Sequence, residues 1–96
     1  MKKDEIINCL QLDKQFLKEK FGVETIALFG SYAKGLENLE SDVDFLVEFK
    51  EPSYSLLMGL YAYLEKKLNS KIEIVRKGPH VSERFYNTIK NELIYV

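Results

Sequence analysis

Hydrophobic and polar residues recur along the chain with two different periods, one typical of helices and one typical of strands. Over residues 3–20, apolar side chains fall three or four positions apart with Lys and Glu between them, which predicts a helix that Gly22 ends. The stretches "VETIALFG", "DVDFLVEF" and "KIEIV" are short and rich in β-branched and aromatic residues. Such stretches are typical of strands in a protein core.

The complete pattern alternates helices with strands. After the first helix, we predict the strand 23–30, a short helix 31–36 and the loop "GLENLES". The strand 42–49 follows, and then a helix that Pro52 and Ser53 open and that Asn69 and Ser70 close. The strand 71–75 and a helix 80–93 come last. The tail "IYV" is either an edge strand or a docked end. The order predicts an α/β (α+β) fold, in which a mixed or parallel sheet is flanked by helices. We expect one small domain over residues 1–96.

Two aspartates interrupt the second predicted strand. Side chains of a strand alternate between faces, so Val43 and Phe45 belong to an apolar face, whereas Asp42 and Asp44 share the other. Two carboxylates this close repel each other and resist burial. Mg²⁺ is commonly held by one or two carboxylates together with substrate phosphates. The pair is therefore interpreted as half of a metal site, with a solvated strand face as the alternative.

A Gly-Ser pair ends the first predicted strand. Gly30 has no Cβ, so another group can approach its backbone closely, and Ser31 can donate its hydroxyl. Free backbone N–H groups at the start of the next predicted helix favour an anion. We interpret Gly30 and Ser31 as a phosphate-binding corner. An ordinary tight turn is the alternative reading of the same two residues.

A third carboxylate lies in "KIEIV". Ile72 and Ile74 face one side of that strand, and Glu73 faces the other. If this strand lies beside residues 42–49, Glu73 projects near the aspartates. The alternative is an exposed charge that protects an edge strand from aggregation.

Composition narrows the class of protein. Fourteen basic residues balance 15 acidic ones for a net charge of −1, which gives no support to direct nucleic-acid binding. Cys9 is the only cysteine, so a disulfide framework is excluded. Charges interrupt the apolar residues of the N-terminal segment, and no segment has the length of a membrane span. We expect a cytoplasmic protein with no membrane association.

The combined motifs resemble a known family. A Gly-Ser at a strand end, about ten spacer residues and Asp-x-Asp in an apolar strand resemble the DNA polymerase β-like nucleotidyltransferases. The stretches "ALFGSYAKG", "SDVDFLVEF" and "NELIYV" are similar to the minimal (MNT-type) members, nearly over the full length. The resemblance implies the nucleotidyltransferase fold and the transfer of a nucleoside monophosphate, most simply AMP from ATP, with loss of pyrophosphate.

The resemblance also assigns roles to residues. Gly30 and Ser31 would hold the triphosphate, while Asp42, Asp44 and Glu73 would be the catalytic carboxylates and the ligands of two Mg²⁺ ions, for which Mn²⁺ can substitute. One ion would activate the acceptor hydroxyl, and the other would stabilise the departing pyrophosphate. The family usually has Asp where this chain has Glu73. The longer side chain changes the placement of a potential base.

A protein partner is implied as well. Minimal nucleotidyltransferases of this kind commonly accompany a helical HEPN-type toxin, which they neutralise as antitoxins by binding it or by adenylylating it. The resemblance therefore predicts an antitoxin that transfers AMP to a hydroxyl of its partner. The alternative is a binding module with the same fold and little catalysis. A homo-oligomer is compatible with either role.

Overall fold

A computed structural model describes all 96 residues of the chain. Its helices and strands follow the predicted order. They are α1 (Lys3–Phe21), β1 (Val23–Phe29), α2 (Ser31–Lys34), β2 (Val43–Phe49), α3 (Tyr54–Leu68), β3 (Ile72–Arg76), α4 (Glu83–Ile89) and β4 (Ile94–Tyr95).

The four strands form one mixed sheet in the order β3-β2-β1-β4. Strand β1 pairs antiparallel with both β2 and β4, whereas β2 and β3 are parallel. A parallel pair needs a crossover connection, and α3 provides it between β2 and β3. The predicted mixed sheet flanked by helices is confirmed, and of the two readings of the tail "IYV" the structure shows the edge strand, over Ile94–Tyr95.

The main core lies on the sheet face that α1 and α3 cover. Val43, Phe45 and Val47 of β2 are fully buried there, as the alternation predicts. Leucines of the two helices complete the layer, among them Leu10 and Leu64. Full burial of one such side chain contributes about 1.5–3 kcal/mol, so this face supplies most of the hydrophobic stabilisation.

The opposite sheet face carries a much smaller apolar cluster. Phe29 of β1, Leu46 of β2 and Ile89 of α4 are buried together, with Val75, Tyr86 and Leu93 partly buried against them. Helix α4 therefore covers only a part of this face. The uncovered part includes Asp44 and Glu73, so the sheet leaves its carboxylates accessible on the side away from α1 and α3.

Several predicted boundaries are wrong by a few residues. Helix α2 ends at Lys34 rather than residue 36, because Gly35 adopts the left-handed conformation that ends a helix. Helix α4 spans Glu83–Ile89 and not 80–93, since the Ser82 hydroxyl caps its start by accepting the Phe85 N–H. None of the helices combines the length and apolar character that a membrane crossing requires.

Candidate active site

Asp44 occupies the centre of the candidate site because β2 has a neighbour on each side. Its register partners are Phe29 of β1 and Glu73 of β3. The flanking residues Val43 and Phe45 point into the α1/α3 core, which turns Asp44 to the opposite face. Its side chain is half-buried there. Because Asp44 belongs to an inner strand, its carboxylate lies over the middle of the sheet rather than at an edge strand.

Glu73 lies directly beside Asp44. The parallel register pairs Asp44 with Glu73, and neighbouring strands are separated by about 4.8 Å. Residues paired in register project to the same face, so both carboxylates leave the sheet on one side. Ile72 and Ile74 are buried on the other face, whereas Glu73 is exposed. The predicted neighbourhood of the two strands is confirmed.

Asp42 immediately precedes β2 and does not belong to it, which corrects the predicted strand start. The residue is half-buried. Its negative charge is close enough to Asp44 to raise the pKa of that carboxyl. An open pocket of about 640 Å³ lies near the start of β2, and its lining includes Tyr32, Ser41 and Lys71 but none of the three predicted carboxylates.

Burial and the neighbouring negative charges act together on Asp44. Burial first, and then the charges of Asp42, Glu73 and Glu92, raise the pKa of Asp44 to about 6 from its ordinary value of 3.8. A nearby cation stabilises the ionised form of a carboxyl group in this environment. The site therefore favours positive charge.

Gly30 is the residue that allows Asp44 to lie against the end of β1. A Cβ at position 30 would overlap Asp44 Oδ2. The backbone also has φ 79° and ψ −157°, a region that is essentially restricted to glycine. Both the conformation and the close approach require glycine here. The Gly30–Ser31 corner and Asp44 are therefore in direct contact.

The corner presents free N–H groups. The first N–H groups of a helix have no acceptor within it, and the structure gives none to Ser31, Tyr32 or Ala33 elsewhere. The Gly30 carbonyl accepts the Lys34 N–H at 3.2 Å, which closes the single turn of α2. The Ser31 side chain is half-buried. These N–H groups can donate hydrogen bonds to an anion.

Glu92 joins the site, although the sequence analysis did not single it out. Its Oε1 accepts the Gly30 N–H at 3.0 Å, and its Oε2 lies 3.4 Å from Lys34 Nζ. The residue stands 62 positions after Gly30, in the segment between α4 and β4. Only the stretch "NELIYV", which resembles the family, contained a signal for it. No local pattern connects Glu92 with the corner.

The donor set suits a hard divalent cation. Asp42 and Asp44 offer carboxylate oxygens, and the raised pKa of Asp44 reflects its burial and the neighbouring negative charges. No three His, Cys, Asp or Glu side chains of the chain converge closely enough to form a metal cluster by themselves. Mg²⁺ is usually bound by one or two carboxylates with substrate phosphates and water as further ligands. Residues Asp42 and Asp44 fit that arrangement.

Comparison with known proteins agrees with the geometry. Residues 13–96 match the family model of the nucleotidyltransferase domain. A candidate protein adenylyltransferase of Methanocaldococcus jannaschii is 43% identical over 95 residues, covering 96% of this chain and 95% of the relative. Protein adenylyltransferase MntA of Thermococcus cleftensis is 38% identical over 94 residues, covering 97% of this chain and 94% of the relative.

Two solved structures share the fold. An MntA toxin–antitoxin complex matches with a TM-score of 0.69 at 19% identity and covers 99% of this chain and 72% of its own. A toxin–antitoxin structure with AMP-PNP matches with a TM-score of 0.55 at 25% identity and covers 79% of this chain and 57% of its own. The chain belongs to the nucleotidyltransferase family, as the resemblance predicted, and the predicted fold class is confirmed.

Proposed function

We propose that this protein transfers AMP from ATP to a hydroxyl group of a protein partner, in a reaction that depends on Mg²⁺. The observation that carries the proposal is the contact of Asp44 with the Gly30–Ser31 corner on one side and its register with Glu73 on the other. A triphosphate on the corner would then have its reacting phosphorus beside the carboxylates. Relatives named as protein adenylyltransferases support the choice of AMP and of a protein acceptor.

The reaction forms one bond and breaks one. The acceptor oxygen forms a bond with the α-phosphorus of ATP, while the bond from that phosphorus to the β-phosphate oxygen breaks and pyrophosphate leaves with the electron pair. The hydroxyl proton passes to a carboxylate, and we assign this role to Glu73 because it is exposed to an incoming acceptor. Positioning and electrostatic stabilisation supply most of the catalysis in such transfers.

The residues of the site have assigned tasks, and Glu73 has two, as the proton acceptor and as a metal ligand. The N–H groups that begin at Ser31 bind phosphate oxygens. Asp42 and Asp44 would hold two Mg²⁺ ions with Glu73 as a further ligand, and Mn²⁺ would substitute. When bound, these ions neutralise phosphate charge and lower the pKa of the acceptor hydroxyl. Asp44 must be ionised for this task, and its raised pKa means that a proton competes with the cation for this carboxylate in the metal-free protein.

The partner in our proposal is a helical HEPN-type toxin that this protein neutralises. The support comes from the toxin–antitoxin structure with AMP-PNP, which shares both the fold and 25% of the aligned residues. In this proposal, the surface of the partner presents the acceptor hydroxyl to the site.

Nucleotide transfer to the protein encoded beside this gene tests the proposal. The purified partner is incubated with the protein, Mg²⁺ and ATP labelled at the α-phosphate, and label on the partner is measured after gel separation. We expect labelling that Asp42→Asn and Asp44→Asn reduce at least ~100-fold, since each removes a charge that acts in the transition state. Glu51→Gln is the matched control, because Glu51 is exposed and lies beyond the far end of β2.

A second role predicts a different result. A binding module that neutralises the toxin by contact would bind the partner tightly without labelling it, and Asp42→Asn would not weaken that binding. Such a result contradicts the proposed enzyme and supports the binding module. Label on the partner that persists in Asp42→Asn would contradict the assigned carboxylate role, even if transfer itself occurred.

A further inference from the structure

Glu92 makes two contacts that no other carboxylate of the site makes. Its two oxygens engage different parts of the corner, one the main-chain N–H of Gly30 and the other the ammonium group of Lys34. The side chain is about 20% exposed, so water competes weakly for it. A buried N–H group without an acceptor is costly, and a charged acceptor forms the stronger kind of hydrogen bond.

The position of Glu92 follows from the register of the edge strand. Strand β4 pairs Ala27 with Tyr95 and Leu28 with Ile94, and the Val96 N–H bonds to the Ile26 carbonyl at 3.1 Å. Continued by two residues, this register places position 92 opposite position 30. Strand β4 begins only at Ile94, so position 92 lies outside the strand. The carboxylate of Glu92 thus takes the place of the main-chain carbonyl that a longer strand would present to Gly30.

A rigid segment holds Glu92 in this place. Its own N–H bonds to the Ile89 carbonyl at 2.9 Å, and Ile89 is buried against Phe29 and Leu46 in the smaller core cluster. Packing of α4 on the sheet is therefore transmitted to the carboxylate. Phe29 immediately precedes Gly30, so the same cluster anchors both ends of the hydrogen bond.

The corner needs such a restraint because of the residue at its centre. Asp44 excludes any Cβ at position 30 and so requires glycine. Glycine, however, populates positive and negative φ almost equally and gives the chain more freedom than any other residue. Unrestrained, the Gly30 backbone would leave the conformation at φ 79° and change the direction of the Ser31 N–H. A hydrogen bond at Gly30 opposes this rotation.

We propose that Glu92 is a positioning residue, whose carboxylate binds the Gly30 N–H and thereby keeps the Gly30–Ser31 corner in the conformation that receives the triphosphate. The inference rests on the proposed function. Lys34 offsets part of the negative charge that Glu92 adds beside the phosphate site. Glu92 acts through Gly30 and does not touch the reacting atoms.

Amide exchange at Gly30 tests the restraint without any catalysis. We expect hydrogen exchange of the Gly30 amide, followed by NMR, to be at least ~10-fold faster in Glu92→Ala, since a hydrogen bond to a charged group is worth about one to two powers of ten. Glu92→Gln keeps an acceptor oxygen and should restore most of the protection. The Leu46 amide in the central strand reports global unfolding, and Glu51→Ala is the control for loss of an acidic side chain.

Measurements of kcat then test whether the restraint on Gly30 matters for nucleotide transfer. Glu92→Ala should lower kcat for nucleotide transfer about 10- to 100-fold, because small displacements of positioning groups can lower a rate by about that factor. Glu92→Gln should recover at least a third of the lost rate. Equal damage from both variants, or unchanged Gly30 exchange in Glu92→Ala, would overturn the positioning role. If the natural protein transfers no nucleotide, the proposed function fails, and exchange at Gly30 still decides the role of Glu92.

A shorter carboxylate keeps the test decisive if Glu92→Ala does not fold. Glu92→Asp retains the charge but lacks one methylene, so it cannot reach Gly30 N and Lys34 Nζ together at the present distances of 3.0 and 3.4 Å. We expect the Gly30 amide of Glu92→Asp to exchange faster than that of the natural protein. Protection in Glu92→Asp equal to that of the natural protein would contradict the proposal.

Discussion

Replacing Asp44 by Asn should make the nucleotide-free protein more stable at neutral pH while removing its function. Burial and the neighbouring charges raise the pKa of Asp44 to about 6 from its ordinary value of 3.8. Between these two values the folded protein holds a proton that the unfolded chain has released. Stability therefore falls as the pH rises through this window, and the full cost remains above pH 6. Asn never ionises and avoids this cost.

The size of the effect follows from the two pKa values. The difference between about 6 and 3.8, converted at about 1.4 kcal/mol per pKa unit, gives an upper limit of about 3 kcal/mol. Water reaches the half-buried side chain and screens its charge, so we expect ~1–2 kcal/mol. In a domain of this size, that difference raises Tm by roughly 5–10 °C.

Thermal unfolding by circular dichroism measures the difference. Natural protein and Asp44→Asn are compared from pH 4 to pH 8 in EDTA and low salt, so that no metal ion offsets the repulsion. The stabilisation should be small near pH 4, grow up to pH 6 and then remain constant. Glu51→Gln removes one negative charge at the far end of β2 and controls for the change in net charge.

Two results would refute this reasoning. A Tm of Asp44→Asn at pH 8 equal to or below that of the natural protein would mean that ionisation of Asp44 does not destabilise the folded protein. A stabilisation of the same size at pH 4 and pH 8 would mean that the gain comes from the amide group rather than from the lost charge. Either result would remove the electrostatic argument for a cation at this site.

Three further outcomes test the site. ATP should raise Tm only when Mg²⁺ or Mn²⁺ is present, and an equal rise in EDTA would contradict a metal-dependent nucleotide site. Gly30→Ala should abolish nucleotide binding and lower stability by about 2–4 kcal/mol in denaturant unfolding, because backbone strain adds to the overlap with Asp44. Gly35→Ala, with φ 71° and open space around the new Cβ, should cost only about 1 kcal/mol and keep binding. Glu73→Asp should retain or raise transfer activity, since it restores the residue usual in the family, and complete loss with an intact fold would contradict the role of Glu73.

Hydrophobic periodicity predicted the helices and strands of this fold, because the spacing of apolar residues over a few positions determines which face of each helix or strand is buried. The buried residues Val43, Phe45 and Val47 alternate as a strand facing one core requires. Element ends were predicted less well, since they depend on short-range capping. The left-handed Gly35 and the Ser82 cap shorten two helices relative to their apolar patterns.

The candidate site was predictable only in part. Gly30, Ser31, Asp42 and Asp44 lie within 15 residues of one another and produce a recognisable spacing. Glu73 was predicted on the condition that its strand lies beside β2, and the parallel register meets this condition. Roles in catalysis and metal binding for these residues remain predictions that the experiments above address.

The sequence by itself determined the alternation of helices and strands, the face of each strand and the presence of a glycine before a helix start that we predict to bind phosphate. These properties depend on side-chain size, polarity and spacing over a few residues. Tertiary structure alone decided that Glu73 stands beside Asp44 and that Glu92 reaches the Gly30 N–H across 62 positions. Strand order and register arise from the packing of distant segments around a shared core, and no local pattern of residues contains that information.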